Sequence, residues 1–592
     1  LNLHIFCHFR QGDFLDKIFA ACYPLFRCNE RRYTVFRIFL KLKALEKSGE
    51  LIQLGAEGAR PLLKLLRLNL SGKRTESIAP CRFFRPHFFS LLFFRLSIFC
   101  WIGSFLFFAF STLQYKESIM ASSFETTLFP IVQTINEYLS NYVLVILLLG
   151  IGIWYTIKTR CVQVRCFKEG WNRVFGNITL NGKKGGDGMS SFQALATAIA
   201  AQVGTGIIVG VAGAILTGGP GAVFWMWVIS FFGMATIYAE ATLAQETRIV
   251  EIDGTIKGGP VYYITTAFKG KFGKFLAGFF AVAITLALGF MGCMVQSNSI
   301  GATMETAFGI PSWVVGIVLI VICAFIFLGG VQRLASVTEK VVPLMAAVFL
   351  FGGLIVLVVR IKYIPETFAM IFRYAFEPQA IVGGGFGYAI KLAISQGAKR
   401  GLFSNEAGMG STPHAHALAN VKNPHEQGTV AIIGVFIDMF VILTLNALVI
   451  ISTLYAGDGP LAGCGAAALS STFNKTNLAQ CAFGTVFGYK AGSMFVAICL
   501  FFFAFSTILS WNLFGKINMV YLFGKKSASV YTLLALIFIF LGTTMSNDLV
   551  WELSDMLNQL MVIPNAIALL ALTSHVVKHS HTPDRLSGRE NG

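Results

Sequence analysis

The sequence predicts an all-α polytopic membrane protein of about eleven transmembrane helices, a peripheral first helix followed by two inverted five-helix repeats that each open on a broken helix. Three observations predict it. Of 592 residues only 13% are charged and 55% are hydrophobic, where an ordinary soluble domain is roughly a quarter charged. No Asp, Glu, Lys or Arg occurs between Asp187 and Glu240, between Lys274 and Glu305, or between Lys490 and Lys516; about 20 apolar residues suffice to cross a bilayer. Glycine-rich interruptions, which weaken helices, stand at Val203-Gly204-Thr205-Gly206 and at Gly401-Leu-Phe-Ser-Asn-Glu-Ala-Gly-Met-Gly410.

The uncharged stretches lack the alternating polar and apolar faces of a soluble core helix, so the lipid bilayer is their solvent. In order, the spans fall at Leu139–Ile157, Phe192–Thr217, Ala222–Ala244, Phe275–Ser297, Trp313–Gly329 and Val341–Val359. The second group is Ile381–Gln396 with an irregular continuation, Thr429–Ser452, Ala491–Asn512, Val530–Thr544 and Leu549–Leu572. Each glycine interruption opens a group of five; five is odd, so the second group is inverted relative to the first. Irregular backbone survives at membrane depth only where protein buries it or water and ions reach it. Paired broken helices in inverted halves are the mark of a transporter's central site.

Residues 1–119 read differently. They contain no methionine and are rich in Phe, Leu and Arg without a clear period. The expectation is an upstream extension ahead of Met120; the alternative is a signal or anchor segment at Leu96–Phe110 behind Arg82, Arg85 and Arg95. The transporter domain is then expected at 120–574 and a cytoplasmic tail at 575–592.

The net charge of +18 does not mark a nucleic-acid partner, because Lys and Arg gather in short links where they orient helices. Lys158, Arg160, Arg165, Lys168 and Arg173 crowd the first link, and Lys269, Lys271, Arg333, Lys340, Lys516, Lys525 and Lys526 fall on the same side. The link 360–378 carries three basic residues, Arg360, Lys362 and Arg373, against this trend, and the expectation for a chain beginning at Met120 is an N-terminus outside and a C-terminus in the cytoplasm of a bacterium, across the inner membrane. The twelve cysteines show no metal-ligand spacing: Cys161 and Cys166 share a basic link, and Cys293, Cys323 and Cys499 lie in apolar runs. Cys464 and Cys481 share one long loop and would pair only in an oxidising compartment. His414, His416 and His425 are loosely spaced and read as a solvated loop. No nucleophile triad, phosphate loop or metal cluster is present in the pattern, so no enzyme and no cofactor is expected.

At its glycine interruptions the chain resembles the alanine or glycine:cation symporter family. The resemblance is carried by Val203-Gly-Thr-Gly206, Gly218-Gly-Pro-Gly-Ala-Val-Phe-Trp-Met-Trp227, Gly258-Gly-Pro-Val-Tyr-Tyr263, Leu402-Phe-Ser-Asn-Glu-Ala-Gly408, Phe436-Ile-Asp438 and Phe505-Ser-Thr-Ile-Leu-Ser-Trp511. It implies a LeuT-like arrangement and sodium-driven import of alanine or glycine, with Na+ as the coupling ion. The chain departs from the family at Ile207, where Asn is usual, and at Met439, where Thr is usual.

The resemblance puts substrate contacts at Gly204, Thr205 and Gly206, where free N–H groups of a half-helix suit a carboxylate; close helix packing along Gly206, Gly210 and Gly213 is the alternative. Gln296 lies in a family contact stretch, and its amide can serve both ends of an amino acid; for Asn298 an inter-helix hydrogen bond is favoured. Asn405 and Glu406 offer polar groups in the second interruption, against simple capping by Ser404 or Asn405. Trp511 would cover a small substrate with its ring, or sit as an interfacial aromatic. For the ion, Ser506 and Thr507 present oxygen ligands of the sort hard cations prefer, with backbone near Val203. Asp438, an intramembrane carboxylate, is a candidate by its cost alone. Proton coupling, a passive channel and a non-transporting sensor are the competing readings.

Overall fold

Lipid offers the backbone no hydrogen bonds, so a spanning segment must satisfy its own N–H and C=O groups as a helix. The computed structural model describes residues 128–176, 190–252, 255–376, 386–464 and 473–581; the expectations for residues 1–119 lie outside them. Helix α1, Leu128–Lys158, is followed by the short α2, Phe167–Phe175. The first group comprises α3, Ser191–Gln202, and α4, Gly206–Gly218, then α5, Ala222–Glu246. A two-residue hairpin pairs β1, Ile249–Val250, with β2, Ile256–Lys257. After it come α6, Pro260–Ala267, α7, Lys271–Phe308, α8, Ser312–Leu328, α9, Gly330–Val359, and the connecting α10, Ile364–Phe376.

The second group repeats this order with α11, Phe386–Asn405, and α12, Pro413–Ala417, then α13, Pro424–Tyr455. A loop helix α14, Leu478–Phe487, precedes α15, Tyr489–Phe523, α16, Ser527–Thr544, α17, Asn547–Ala571, and α18, Thr573–His581. Among the described residues eight helices are long and apolar enough to cross a membrane, and nine with α3 and α4 taken as one bent span. Helix α8, 17 residues long, is shorter, and α11 carries Lys391, Lys399 and Arg400.

Local sequence accounts for the ends that matter. Ser190 caps α3 by accepting the Gln193 N–H at 3.0 Å, while Gln193 Oε1 accepts the Ser190 N–H at 3.0 Å. Helix α5 packs along α13 and α7 along α15, corresponding members of the two groups. The first contact is close because Gly428 has no Cβ; one there would fall 2.7 Å from the Tyr238 ring.

One expectation shifts. The second interruption begins not at Gly401 but after Asn405: the Asn405 side chain accepts the Ala407 N–H at 2.9 Å, and Glu406 takes φ +56°. The presumed tail starts as a helix, held by His575 Nδ1 at 2.9 Å from Glu246. Cys464 and Cys481 are both unbonded thiols.

Candidate functional site

At the first break the chain leaves the helix at Val203, with φ −80° and ψ 71°, and α3 and α4 meet at 41°. The Thr205 N–H is taken by Gln296 Oε1 of α7 at 3.0 Å. Gln296 Nε2 and Thr205 Oγ1 are buried and have no partner among the described residues. Gly204 is required by packing: a Cβ there would meet Thr507 Oγ1 at 2.5 Å and Gln296 Oε1 at 3.0 Å. Thr507 of α15 donates to the Ala200 carbonyl at 2.8 Å, and Ser510, one turn on, to the Thr197 carbonyl at 3.0 Å. These bonds tie α15 to the last turns of α3. Ser506 points elsewhere, donating to Phe503 of its own helix at 2.8 Å.

The second break is built from carboxylates. Glu240 of α5, fully buried, accepts the Gly408 and Gly410 N–H groups at 3.0 Å each and Asn565 Nδ2 of α17 at 2.6 Å. Asn565 Nδ2 also donates to the Gly408 carbonyl at 2.9 Å, and Tyr263 O–H donates to Asn565 Oδ1 at 2.5 Å. Glu406 accepts the Ser411 hydroxyl and, at 2.5 Å, the Trp511 indole N–H. Asp438 lies in a wide π-type turn of α13 and accepts the Ser404 hydroxyl at 3.0 Å. Among the described residues no Lys or Arg pairs with any of the three; the buried cations Lys399 and Arg400 both converge on Asp555, at 2.9 and 3.0 Å.

The breaks touch. Gln202 Nε2 donates to the Asn405 carbonyl at 2.8 Å, and a Cβ on Gly206 would lie 3.2 Å from Ser404 Cα and from the Phe403 ring. Asn446 of α13 donates to the Ile207 carbonyl at 2.7 Å. Above this contact Phe403 meets Trp511 edge-on at 5.6 Å and Trp551 at 4.9 Å. The Arg400 guanidinium covers Trp551 at 4.6 Å. A polar cavity of about 300 Å³ lined by Asn136, Glu137, Lys391, Lys399 and Glu552 opens beyond.

The structure thus brings Gly204, Thr205, Gln296 and Thr507 together at one break, and Gly206 against Ser404 at the contact of the two. Asn405 spends its side chain on Ala407 and on Ser230 at 3.0 Å. Asn298 bonds Gly542 and Met545 of the α16 end at 2.8 and 3.0 Å.

The sodium:alanine symporter family model matches residues 125–585. The chain belongs to that family. The sodium/alanine symporter AgcS of Methanococcus maripaludis is 38% identical over 76% of this chain and 96% of its own length. An uncharacterized transporter of Haemophilus influenzae is 36% identical over 77% of this chain and 96% of its own. The amino-acid carrier protein AlsT of Bacillus subtilis is 35% identical over 76% and 92%. The protein is accordingly a multi-pass membrane transporter and not an enzyme.

Several groups in this transporter escaped the sequence. Glu240, Tyr263 and Asn565 reach the second break from three elements, and no spacing announces them. His414, His416 and His425 are not a solvated loop, since all three are buried. His414 Nδ1 faces the Ser411 carbonyl at 2.7 Å and its Nε2 faces Asn518 at 2.8 Å; His416 Nδ1 faces Gln427 at 2.8 Å. The Pro-His-x-His start of α12 folds His414 and His416 under the second break, a placement visible only in three dimensions.

Proposed function

We propose that this transporter uses an inward sodium gradient to import a small neutral amino acid, alanine or glycine, across the bacterial inner membrane. The observation that carries the reading is the first break, where Gln296 Nε2 and Thr205 Oγ1 are buried with unspent hydrogen-bonding capacity beside an opened backbone. In this reading the backbone of Gly204 to Gly206, with Gln296, holds the substrate carboxylate, and Asn405 lines the far side. Trp511, its N–H committed to Glu406, contributes ring surface, and with Phe403 it limits the side chain to something small. Sodium is held by Thr507 with carbonyls of the first break near Val203, with Asp438 as a further candidate ligand. The AgcS relative's sodium/alanine name supports the same pairing. The cavity at Lys391 and Glu137 then faces outward, on the side opposite the basic first link at Lys158 to Arg173.

Purified protein in proteoliposomes tests this: an imposed sodium gradient is expected to concentrate alanine or glycine inside. Equal uptake with potassium in place of sodium, without accumulation above the external level, would sink sodium coupling. Proton coupling is the second reading, favoured by Asp438, a buried carboxylate with no basic partner among the described residues. Accumulation driven by a pH gradient alone, abolished by Asp438→Asn, would establish it instead.

A further inference from the structure

Away from the breaks, three side chains of metal-ligating type converge where the first link packs under α13. Cys166 and Glu169 stand three residues apart around the start of α2, and His425 opens α13 from far along the chain. One ligand atom of each lies within 4.8 Å of the others. His425 Nε2 is already 3.3 Å from Glu169 Oε2. Tetrahedral zinc with bonds of about 2.0–2.3 Å sets its ligand atoms roughly 3.3–3.8 Å apart. The histidine and carboxylate therefore stand at coordination distance, and closing the cluster asks for a rearrangement of about 1.5 Å at most.

Each of those two ligands is also oriented from behind. Tyr238 of α5 lies 2.6 Å from His425 Nδ1, which leaves Nε2 turned into the cluster. Arg173 holds Glu169 Oε1 at 3.0 Å, which leaves Oε2 turned the same way. Outer partners of this kind fix the ring and carboxylate of metal sites. Cys166 and His425 are buried while Glu169 keeps about a third of its side chain exposed, giving an ion a way in. Helix α2 already sits against α13, with Gly170 so near the Thr429 carbonyl that a Cβ would lie 2.5 Å from it.

We propose that Cys166, Glu169 and His425 form a site for a borderline-soft divalent cation of the zinc class, completed by a water, which fastens α2 to α13. Thiolate, imidazole and carboxylate together select zinc over magnesium or calcium, which take oxygen alone. The ion displaces the thiol proton to solvent. Because α13 packs along α5, its counterpart in the other group, an ion that fixes α2 to α13 stiffens the bundle and slows transport.

The test uses the full chain, affinity tag removed, with Co²⁺ as the spectroscopic probe and Zn²⁺ as competitor. One equivalent of cobalt should bind saturably with a thiolate-to-cobalt charge-transfer band, displaced by zinc. Cys166→Ser should lose the band, and Glu169→Gln and His425→Gln should weaken binding at least tenfold. Tyr238→Phe should keep the band and weaken binding roughly 10- to 100-fold, the range for an outer partner. A band that persists in Cys166→Ser, or equal affinity in Glu169→Gln, whose side chain is part-exposed and tolerant, overturns the site. Zinc should slow amino-acid uptake by the parent several-fold and leave folded Cys166→Ser unaffected; equal zinc sensitivity of the two overturns the fastening role. The metal spectra do not depend on which amino acid or ion is transported, so failure of the transport reading stays distinguishable.

Discussion

The two broken helices occupy corresponding places in the two groups, yet their chemistry is opposite. At the first break the partners are neutral, the amide of Gln296 and the hydroxyl of Thr507, and Gln296 Nε2 and Thr205 Oγ1 remain unspent. At the second, carboxylates take up the polar groups of the turn: Glu240 accepts the loop N–H groups of Gly408 and Gly410, and Glu406 accepts the Ser411 hydroxyl and the Trp511 indole. A carboxylate in that position does what an anionic ligand would do among free backbone N–H groups of a turn. The second break is thus filled by the protein itself, while the first keeps buried polar groups unspent, which the proposed reading gives to the substrate. In the proposed reading a pair of similar backbones is divided into a part that holds and a part that receives.

The largest effect should come from emptying the part that holds. Glu240→Ala strands two buried backbone N–H groups and the Asn565 amide, a loss of about 3–5 kcal/mol. We expect a lower unfolding temperature and no measurable uptake, with Glu240→Gln intermediate; parental stability in the alanine variant would show that the second break stands without its clamp.

Next in size is Thr507→Ala at the receiving break. Removing one oxygen should weaken sodium binding by about 1–3 kcal/mol, roughly five- to 150-fold. Apparent substrate affinity should then fall only when sodium is limiting, as linkage demands. Titrating uptake against sodium measures it; an unchanged half-saturating concentration moves attention to Asp438.

A smaller change is expected from Ile207→Asn, which adds an amide just beyond the Gly206 turn, where Asn446 already reaches the backbone. Relative preference among small amino acids should shift by about threefold to tenfold, the worth of one hydrogen bond. An unchanged ranking in competition uptake would make residue 207 packing alone. Smallest of all is Ser506→Ala. Its hydroxyl is bonded within α15, so half-saturating sodium should change by less than about twofold, and a shift as large as that of Thr507→Ala would erase the distinction between these neighbours.

Much of this was legible because lipid permits so few backbone solutions. Uncharged runs give helices, and glycines flanking Thr205 give a break. Gln296 and Thr507 could be singled out because each is a polar side chain in an apolar span. The second break was misplaced by about one turn, since Gly401 suggested an interruption while the actual exit depends on the Asn405 cap and on Glu406 at positive φ. Glu240 passed unnoticed for a plainer reason. In sequence it only ends an uncharged run, and its meaning lies in amides 168 and 170 residues further on. The histidines misled likewise, because burial of a polar residue is decided by partners such as Asn518 and Gln427 rather than by its neighbours in the chain.

Asn565 gives the clamp a dynamic consequence. One side chain bonds Glu240, the Gly408 carbonyl and Tyr263 at once, so α17 cannot swing while leaving the others in place. Such a knot does not loosen by degrees; its members release in concert or stay shut, which gives the motion a threshold in place of a gradient. Deuterium should therefore enter the Gly408 and Gly410 amides together and slowly, at the pace of that release, although both residues lie outside any helix.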